Sequence, residues 1–126
     1  MATWEDVRRL ALALPEVAER DGREWRVHGK PMLWERPLRR RDLDELGESA
    51  PTGPILGARV PDEGAKRALV ADAPAVYFTT SHFDGYPAVL VQLDHIDAAE
   101  LGELVVEAWL AQAPKRLAKA YLADHP

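Results

Sequence analysis

Four arginines lie within six positions in the segment RPLRRR: Arg36, Arg39, Arg40 and Arg41. A guanidinium group donates two parallel hydrogen bonds to a phosphate, so such a cluster suits phosphate binding. Lys30, expected at the tip of a hairpin, would join this surface if the hairpin acted as a wing. The alternative is a solvated loop, because residues 36–48 also contain four acidic side chains that could pair with the arginines. Those acids are Asp42, Asp44, Glu45 and Glu48.

A serine, a histidine and an aspartate stand close together in SHFD, at Ser81, His82 and Asp84. A hydrolytic triad requires the histidine to bond both other groups. In an extended strand, adjacent side chains point to opposite faces, so Ser81 and His82 would diverge. Asp84 precedes a glycine, which is typical of a turn. The pattern therefore predicts a turn without catalytic residues, and we expect the protein not to be an enzyme.

His82 keeps a different role as a residue that lines a pocket. The alternative to phosphate binding by the arginines is a concave sheet face that binds a small ligand or a protein partner. The residues expected to line it are His28, Trp34, His82 and Tyr86. Aromatic side chains on a sheet can also stack bases, but with four tryptophans in the chain we expect most of them in the core. The aromatic residues in question are Trp25, Trp34, Tyr77, Phe78, Phe83 and Tyr86.

The sequence predicts no metal site and no cofactor. There is no cysteine, and the four histidines at 28, 82, 95 and 125 lack metal-ligand spacing. Asp94, His95 and Asp97 lie close together, but Asp97 is better placed to cap the helix that follows it. The chain also lacks a phosphate-binding loop and a dinucleotide glycine motif.

The overall charge bears on the choice of partner. The chain of 126 residues has a net charge of −5 and a pI near 5.3, whereas nonspecific nucleic-acid binders usually carry a basic domain or a basic face. The distribution of charge therefore matters more than its total. One further basic strip, Lys115, Arg116 and Lys119, is expected on the polar side of the last helix. No apolar run of about 18 residues occurs, so we expect no membrane contact and a cytoplasmic location.

Hydrophobic periodicity predicts a single α+β domain over residues 1–126, with a mainly antiparallel sheet of about five strands. The N- and C-terminal helices are expected to pack on one face of that sheet. Predicted helices cover residues 3–14, a short stretch around Leu43 and Leu46, 62–70, 98–112 and a stretch from Pro114. Predicted strands are two within 24–35, with Gly29-Lys30 as their turn, then 55–60, 75–80 and 87–93, whereas 15–22 is expected to be a loop.

Four segments, in this order and spacing, resemble the MmcQ/YjbR family over almost the whole chain. The segments are LALALPEV, VHGKPMLW, FTTSHFDGYPAVLVQL and ELVVEAWLAQAPKRLAKAY. The positions that match recurrent family motifs are Pro15, Glu16, Gly29, Lys30, His82 and Trp109. The resemblance implies a compact α+β fold similar to that of the bacterial frataxin CyaY. It also implies DNA binding through a double-wing arrangement of hairpins, and it supplies no catalytic set.

Overall fold

The structure is a computed structural model that describes residues 2–125. Its α-helices are α1 (Trp4–Leu12), α2 (Arg40–Leu46), α3 (Glu63–Asp72), α4 (Ala98–Gln112) and α5 (Lys115–Asp124). Its strands are β1 (Val17–Arg20), β2 (Glu24–Val27), β3 (Lys30–Glu35), β4 (Ile55–Arg59), β5 (Tyr77–Phe78) and β6 (Ala88–Gln92). The α+β prediction of one domain with a mainly antiparallel sheet is confirmed.

Three of the helices begin at side chains that cap them. Thr3 accepts a hydrogen bond from the Asp6 amide, and Asp6 accepts one from the Thr3 amide, which forms a complete capping box at α1. Asp62 caps α3 and Asp97 caps α4 through a single bond each, in which the carboxylate accepts from the amide three residues further on. These local bonds fix where the helices start, as the sequence predicts.

The sheet has six strands in the order β1-β2-β3-β4-β6-β5, and all neighbouring pairs are antiparallel. The additional strand is β1, in a segment predicted to be a loop. It is an edge strand in which only Val17 is partly buried, so it lacks the alternating apolar pattern that identifies a strand in a sequence.

The turn between β2 and β3 lies one residue earlier than predicted. Val27 pairs with Lys30, so the two loop residues are His28 and Gly29. Both have a positive φ, at 50° and 78°, as a type I′ hairpin turn requires. Lys30 is therefore the first residue of β3, directly beside the hairpin tip.

One face of the sheet forms the main core with α1 and α4. Alternate residues of the central strands point to this face, among them Leu56, Ala58, Val89 and Val91. They pack against the apolar stripe of α4, whose Trp109 is fully buried. The prediction that the N- and C-terminal helices share one face of the sheet is confirmed.

The opposite face carries a smaller apolar cluster, which the segment before α2 helps to cover. Its buried members are Ile55, Phe83, Ala88 and Leu90, and its partly buried neighbours are Trp34, Leu38 and Phe78. Trp34 lies flat over Gly57 on the next strand, where a Cβ atom would come within 2.4 Å of the indole. Trp34 therefore covers part of this face.

The segment between β5 and β6 is less extended than predicted. Only Tyr77–Phe78 is strand within the predicted 75–80, and Ser81–Phe83 forms a single 3₁₀ turn. The Phe83 side chain anchors this turn in the small cluster, which explains why the strand stops early. Asp84 and Gly85 do form a turn as predicted, with Gly85 at a φ of 76°.

Candidate nucleic-acid interface

Arg39, Arg40 and Arg41 are all exposed and lie at the start of α2. Arg39 is the N-cap residue, and its amide donates to the Asp42 carboxylate at 2.8 Å. Within residues 2–125, no carboxylate oxygen lies within 4.0 Å of a side-chain nitrogen of these three arginines. The three guanidinium groups are therefore free to bind an external anion.

Two of the four nearby acids are occupied elsewhere, so neither of them pairs with these three arginines. Asp42 turns inward and pairs with Arg36 at 3.0 Å. Glu45 accepts hydrogen bonds from both the amide and the hydroxyl of Ser81, the amide at 3.0 Å. Only the exposed Asp44 and Glu48 remain, and neither forms an ion pair in the part of the chain that the structure describes.

Arg36 differs from the other three arginines because it is buried. Its side chain is 6% exposed and that of Asp42 is 4% exposed. The guanidinium also donates to the Pro37 carbonyl oxygen, and it lies 5.3 Å from the centre of the Phe83 ring. Arg36 thus joins α2 to the small apolar cluster, and its side chain is almost entirely buried there.

The ionisation of Asp42 is adapted to this buried position. Burial alone raises the pKa of the Asp42 carboxyl, but hydrogen bonds from the Arg39 amide and from Arg36 outweigh that effect. The net pKa of Asp42 lies below its usual range, so the ion pair is fully charged near neutral pH.

Lys30 is exposed, but it does not join the arginine cluster directly. It begins β3, whereas Arg36 follows the end of the same six-residue strand. At about 3.3 Å per residue, the strand separates the two positions by roughly 20 Å. The hairpin tip and the start of α2 are therefore two separate basic positions.

Three further cations near the hairpin end of the sheet carry contacts that the sequence did not indicate. Arg26 pairs with Glu24 at 3.0 Å, and Arg59 donates to the Tyr86 hydroxyl at 3.1 Å. Lys66 is 4% exposed and donates to the carbonyl oxygens of Phe83 and Tyr86, so it closes the turn between them. The position of Lys66 on α3 gave no indication of this, because the bond joins residues far apart in sequence.

The residues expected to line a pocket are only partly brought together. His82 and Tyr86 both pack against Phe83, with ring centres 4.9 Å and 6.3 Å from it, and Trp34 packs on the same small cluster. His28 lies apart, because its Nε2 atom is 2.6 Å from the carboxylate of Glu16. His28 and Glu16 both have a positive φ, at 50° and 61°, so this contact joins two strained positions.

The serine, histidine and aspartate at 81–84 do not form a triad. The Ser81 hydroxyl bonds Glu45 and the exposed His82 ring packs edge-on against Phe83, so the two side chains diverge as predicted. Their divergence arises in the 3₁₀ turn and not in a strand. Asp84 is exposed at the following turn.

The other candidate ligands are engaged in local structure. Asp97 caps α4, and the Nδ1 atom of His95 lies 3.1 Å from the Ala75 carbonyl oxygen. Within residues 2–125, no group of three His, Asp or Glu side chains is arranged to hold a metal ion. Lys115, Arg116 and Lys119 are exposed on α5. No helix in the described part of the chain is both long and apolar enough to cross a membrane.

Comparison with known proteins identifies relatives over the whole chain. Residues 12–111 match the family model described as YjbR. An uncharacterized protein of Mycobacterium tuberculosis is 56% identical over 127 residues, which covers 98% of each chain. An uncharacterized protein of Mycobacterium bovis matches with the same identity and coverage. No solved structure matches the chain.

Proposed function

The chain belongs to the YjbR family, and from this premise we propose that it binds DNA through the phosphate backbone. The observation that carries the proposal is the group of exposed and unpaired arginines at the start of α2, Arg39, Arg40 and Arg41. A guanidinium already paired with a carboxylate would lose that bond on binding a phosphate, whereas these three lose none. Asp42 bonds Arg36 and Glu45 bonds Ser81, so these two acids leave the three arginines available to a phosphate.

The contact supplies affinity and not sequence recognition. Phosphate contacts position a protein on a duplex, while base edges in the grooves carry the sequence information. Lys30, beside the tip of the β2–β3 hairpin, forms the second contact point if that hairpin acts as a wing. Arg36 is left out of the proposed contact set because it is buried against Phe83 and Asp42. A cytoplasmic location is part of the proposal, and the absence of cysteine is compatible with it.

The test is the salt dependence of DNA binding. Fluorescence anisotropy with a labelled duplex and the matching single strand gives the affinity between about 50 and about 200 mM salt, and each phosphate neutralised contributes about −0.9 to the logarithmic slope. For the variant Arg39→Ala/Arg40→Ala/Arg41→Ala, we expect the slope of log affinity against log salt to be less negative by about 2 to 3. For Lys30→Ala, the slope should be less negative by about 1 if the hairpin tip touches a phosphate.

The chain offers a matched control in α5. Lys115→Ala/Arg116→Ala/Lys119→Ala removes the same number of exposed positive charges from another surface, and we expect its slope to equal that of the wild type. The proposal fails if the wild-type protein shows no micromolar binding at low salt. It fails equally if the α2 and α5 variants lose the same amount, because net charge alone would then explain the binding.

A second candidate function is binding of a small ligand or a protein partner beside the small apolar cluster. The observation that favours it is the grouping of Trp34, His82 and Tyr86 around Phe83. This function does not use the α2 arginines, so the α2 variant would leave it intact. His82→Ala/Tyr86→Ala would reduce it without changing the salt slope of DNA binding.

A further inference from the structure

A groove of about 790 Å³ lies between α3 and α4, outside both sites described above. Its floor is apolar and is built from Val60, Ala65, Leu69 and Leu104. Ala68 is exposed at its side and contributes no bulk, which keeps the groove open. The groove has the size of a ligand or peptide site and an apolar base that such sites share.

The sides of the groove carry charge of one sign. Five of its lining residues are acidic and none is Lys, Arg or His; the acids are Asp72, Asp97, Glu100, Glu103 and Glu107. The chain contains 21 acidic residues against 16 Lys and Arg, so these five account for the whole negative excess of the protein. Outside the groove, the numbers of acidic and basic residues are equal.

The acids on α4 form a row without an ion-pair partner among the described residues. Glu100 accepts a hydrogen bond from the Tyr77 hydroxyl, whereas Glu103 and Glu107 are exposed. Within residues 2–125, none of these three carboxylates has an ion-pair partner. Like charges three or four residues apart on a helix repel one another, so the row is destabilising unless something outside the chain neutralises it.

We infer that this groove is a docking site for a basic amphipathic helix of a partner protein. An amphipathic helix places its apolar face on an apolar floor and anchors through residues at i, i+3 or i+4, and i+7. The carboxylates at 100, 103 and 107 repeat with that same spacing over about 10 Å of helix. Lysines or arginines at matching positions of the partner would face them, and the complementary charges would favour such a partner over a neutral or acidic one.

The groove and the arginines at the start of α2 belong to different sides of the sheet. Ala65 and Leu69 of α3 pack on the main core, as does α4, whereas α2 is joined through Arg36 to the small cluster on the other face. The two surfaces can therefore be occupied at the same time, and this inference does not depend on DNA binding.

The test uses a labelled synthetic peptide of lysine, leucine and alanine, about 14 residues long, with its leucines at helical spacing. A peptide of the same composition in scrambled order is the reference for nonspecific attraction. We expect the helical peptide to bind at least about tenfold more tightly than the scrambled one. Amide chemical shifts in the protein should change mainly at Ala68, Leu69 and Leu104.

Two variants test the two parts of the groove. Glu103→Gln/Glu107→Gln removes two charges from the groove and should weaken peptide binding about tenfold. The control Asp44→Asn/Glu48→Gln removes two exposed acids from α2 and the turn after it, and it should change the peptide affinity less than about twofold. Ala68→Trp fills the groove without altering charge and should also weaken binding. Circular dichroism melts of each variant establish that it is folded before its affinity is compared.

Three results would overturn the inference. Equal affinity for the helical and scrambled peptides would show that charge alone attracts them. Equal loss in the groove and α2 variants would remove the groove from the binding surface. Self-association of the protein that disappears in Glu103→Gln/Glu107→Gln would make the occupant a second copy of this chain instead of a partner protein.

Discussion

Replacing Asp42 with alanine tests how α2 is held on the sheet. Asp42 is 3% exposed and Arg36 is 5% exposed, and their side chains approach to 3.0 Å. Removing one partner of a buried pair costs about 3–5 kcal/mol, because the other charge stays buried without compensation. The variant also loses the hydrogen bond from the Arg39 amide, worth about 1 kcal/mol in isolation. The two losses share one carboxylate and do not add, so we expect about 3–5 kcal/mol in total.

Urea unfolding followed by tryptophan fluorescence measures this loss, since two of the four tryptophans are fully buried. Asp44→Ala is the matched control on the same helix, and because Asp44 is exposed it should change the free energy of unfolding by less than about 0.5 kcal/mol. The double variant Arg36→Met/Asp42→Leu should recover most of the loss, because it removes both charges together. A loss below about 1 kcal/mol for Asp42→Ala would refute the claim that this pair holds α2 in place.

The same pair gives the protein a defined response to acid. The pKa of Asp42 is lower in the folded state than in the unfolded chain, so the folded state releases that proton more readily. The stabilisation it provides is complete above about pH 5, and it is lost as the pH falls through the unfolded and then the folded pKa of Asp42. Asp42→Asn, which cannot ionise, should therefore show a smaller loss of stability than the wild type between about pH 5 and pH 2.

Two further changes probe a close contact on the sheet and the ionisation of a buried tyrosine. Gly57→Ala would place a Cβ 2.4 Å from the Trp34 indole, and we expect the clash to cost about 1–3 kcal/mol in urea unfolding. Trp34→Leu in the same chain should recover part of that loss, and no recovery would place the strain elsewhere. Burial raises the pKa of the Tyr77 phenol, and its hydrogen bond to Glu100 acts in the same direction. The folded state thus keeps this proton longer, so stability should fall as the pH rises above about 10, and Tyr77→Phe should show a smaller fall in urea midpoint over that range.

The parts of the fold that local bonds determine could be predicted from the sequence. Thr3, Asp62 and Asp97 start their helices through bonds to residues three positions away, and such bonds depend on little beyond the segment itself. The central strands were also predictable, because their alternate residues face two apolar clusters. Strand β1 was not, since an edge strand with one partly buried residue has no apolar period to reveal it.

In the candidate site, too, some features could be predicted from the sequence and others depend on contacts between distant residues. Arg36 and Arg39 look equivalent in the sequence, yet one is buried and the other is exposed. Arg36 is buried because its guanidinium lies against the ring of Phe83, far along the chain, and pairs with Asp42. Lys66 is a similar case, because its two carbonyl partners lie on a turn about twenty residues away. Long-range partners of this kind decide which cations remain available, and a pattern of residue types cannot show them.

The separation of the acidic groove from the α2 arginines also gives the molecule a permanent electric dipole. At low salt, where screening is weak, the net charge of −5 repels a distant polyanion, whichever side the protein presents. Close to a polyanion, this separation of charge would favour the orientation in which the arginine side faces the polyanion and the groove faces the solvent. Reducing the charge of the groove would therefore weaken the repulsion and also the alignment, two effects that oppose each other in the association rate.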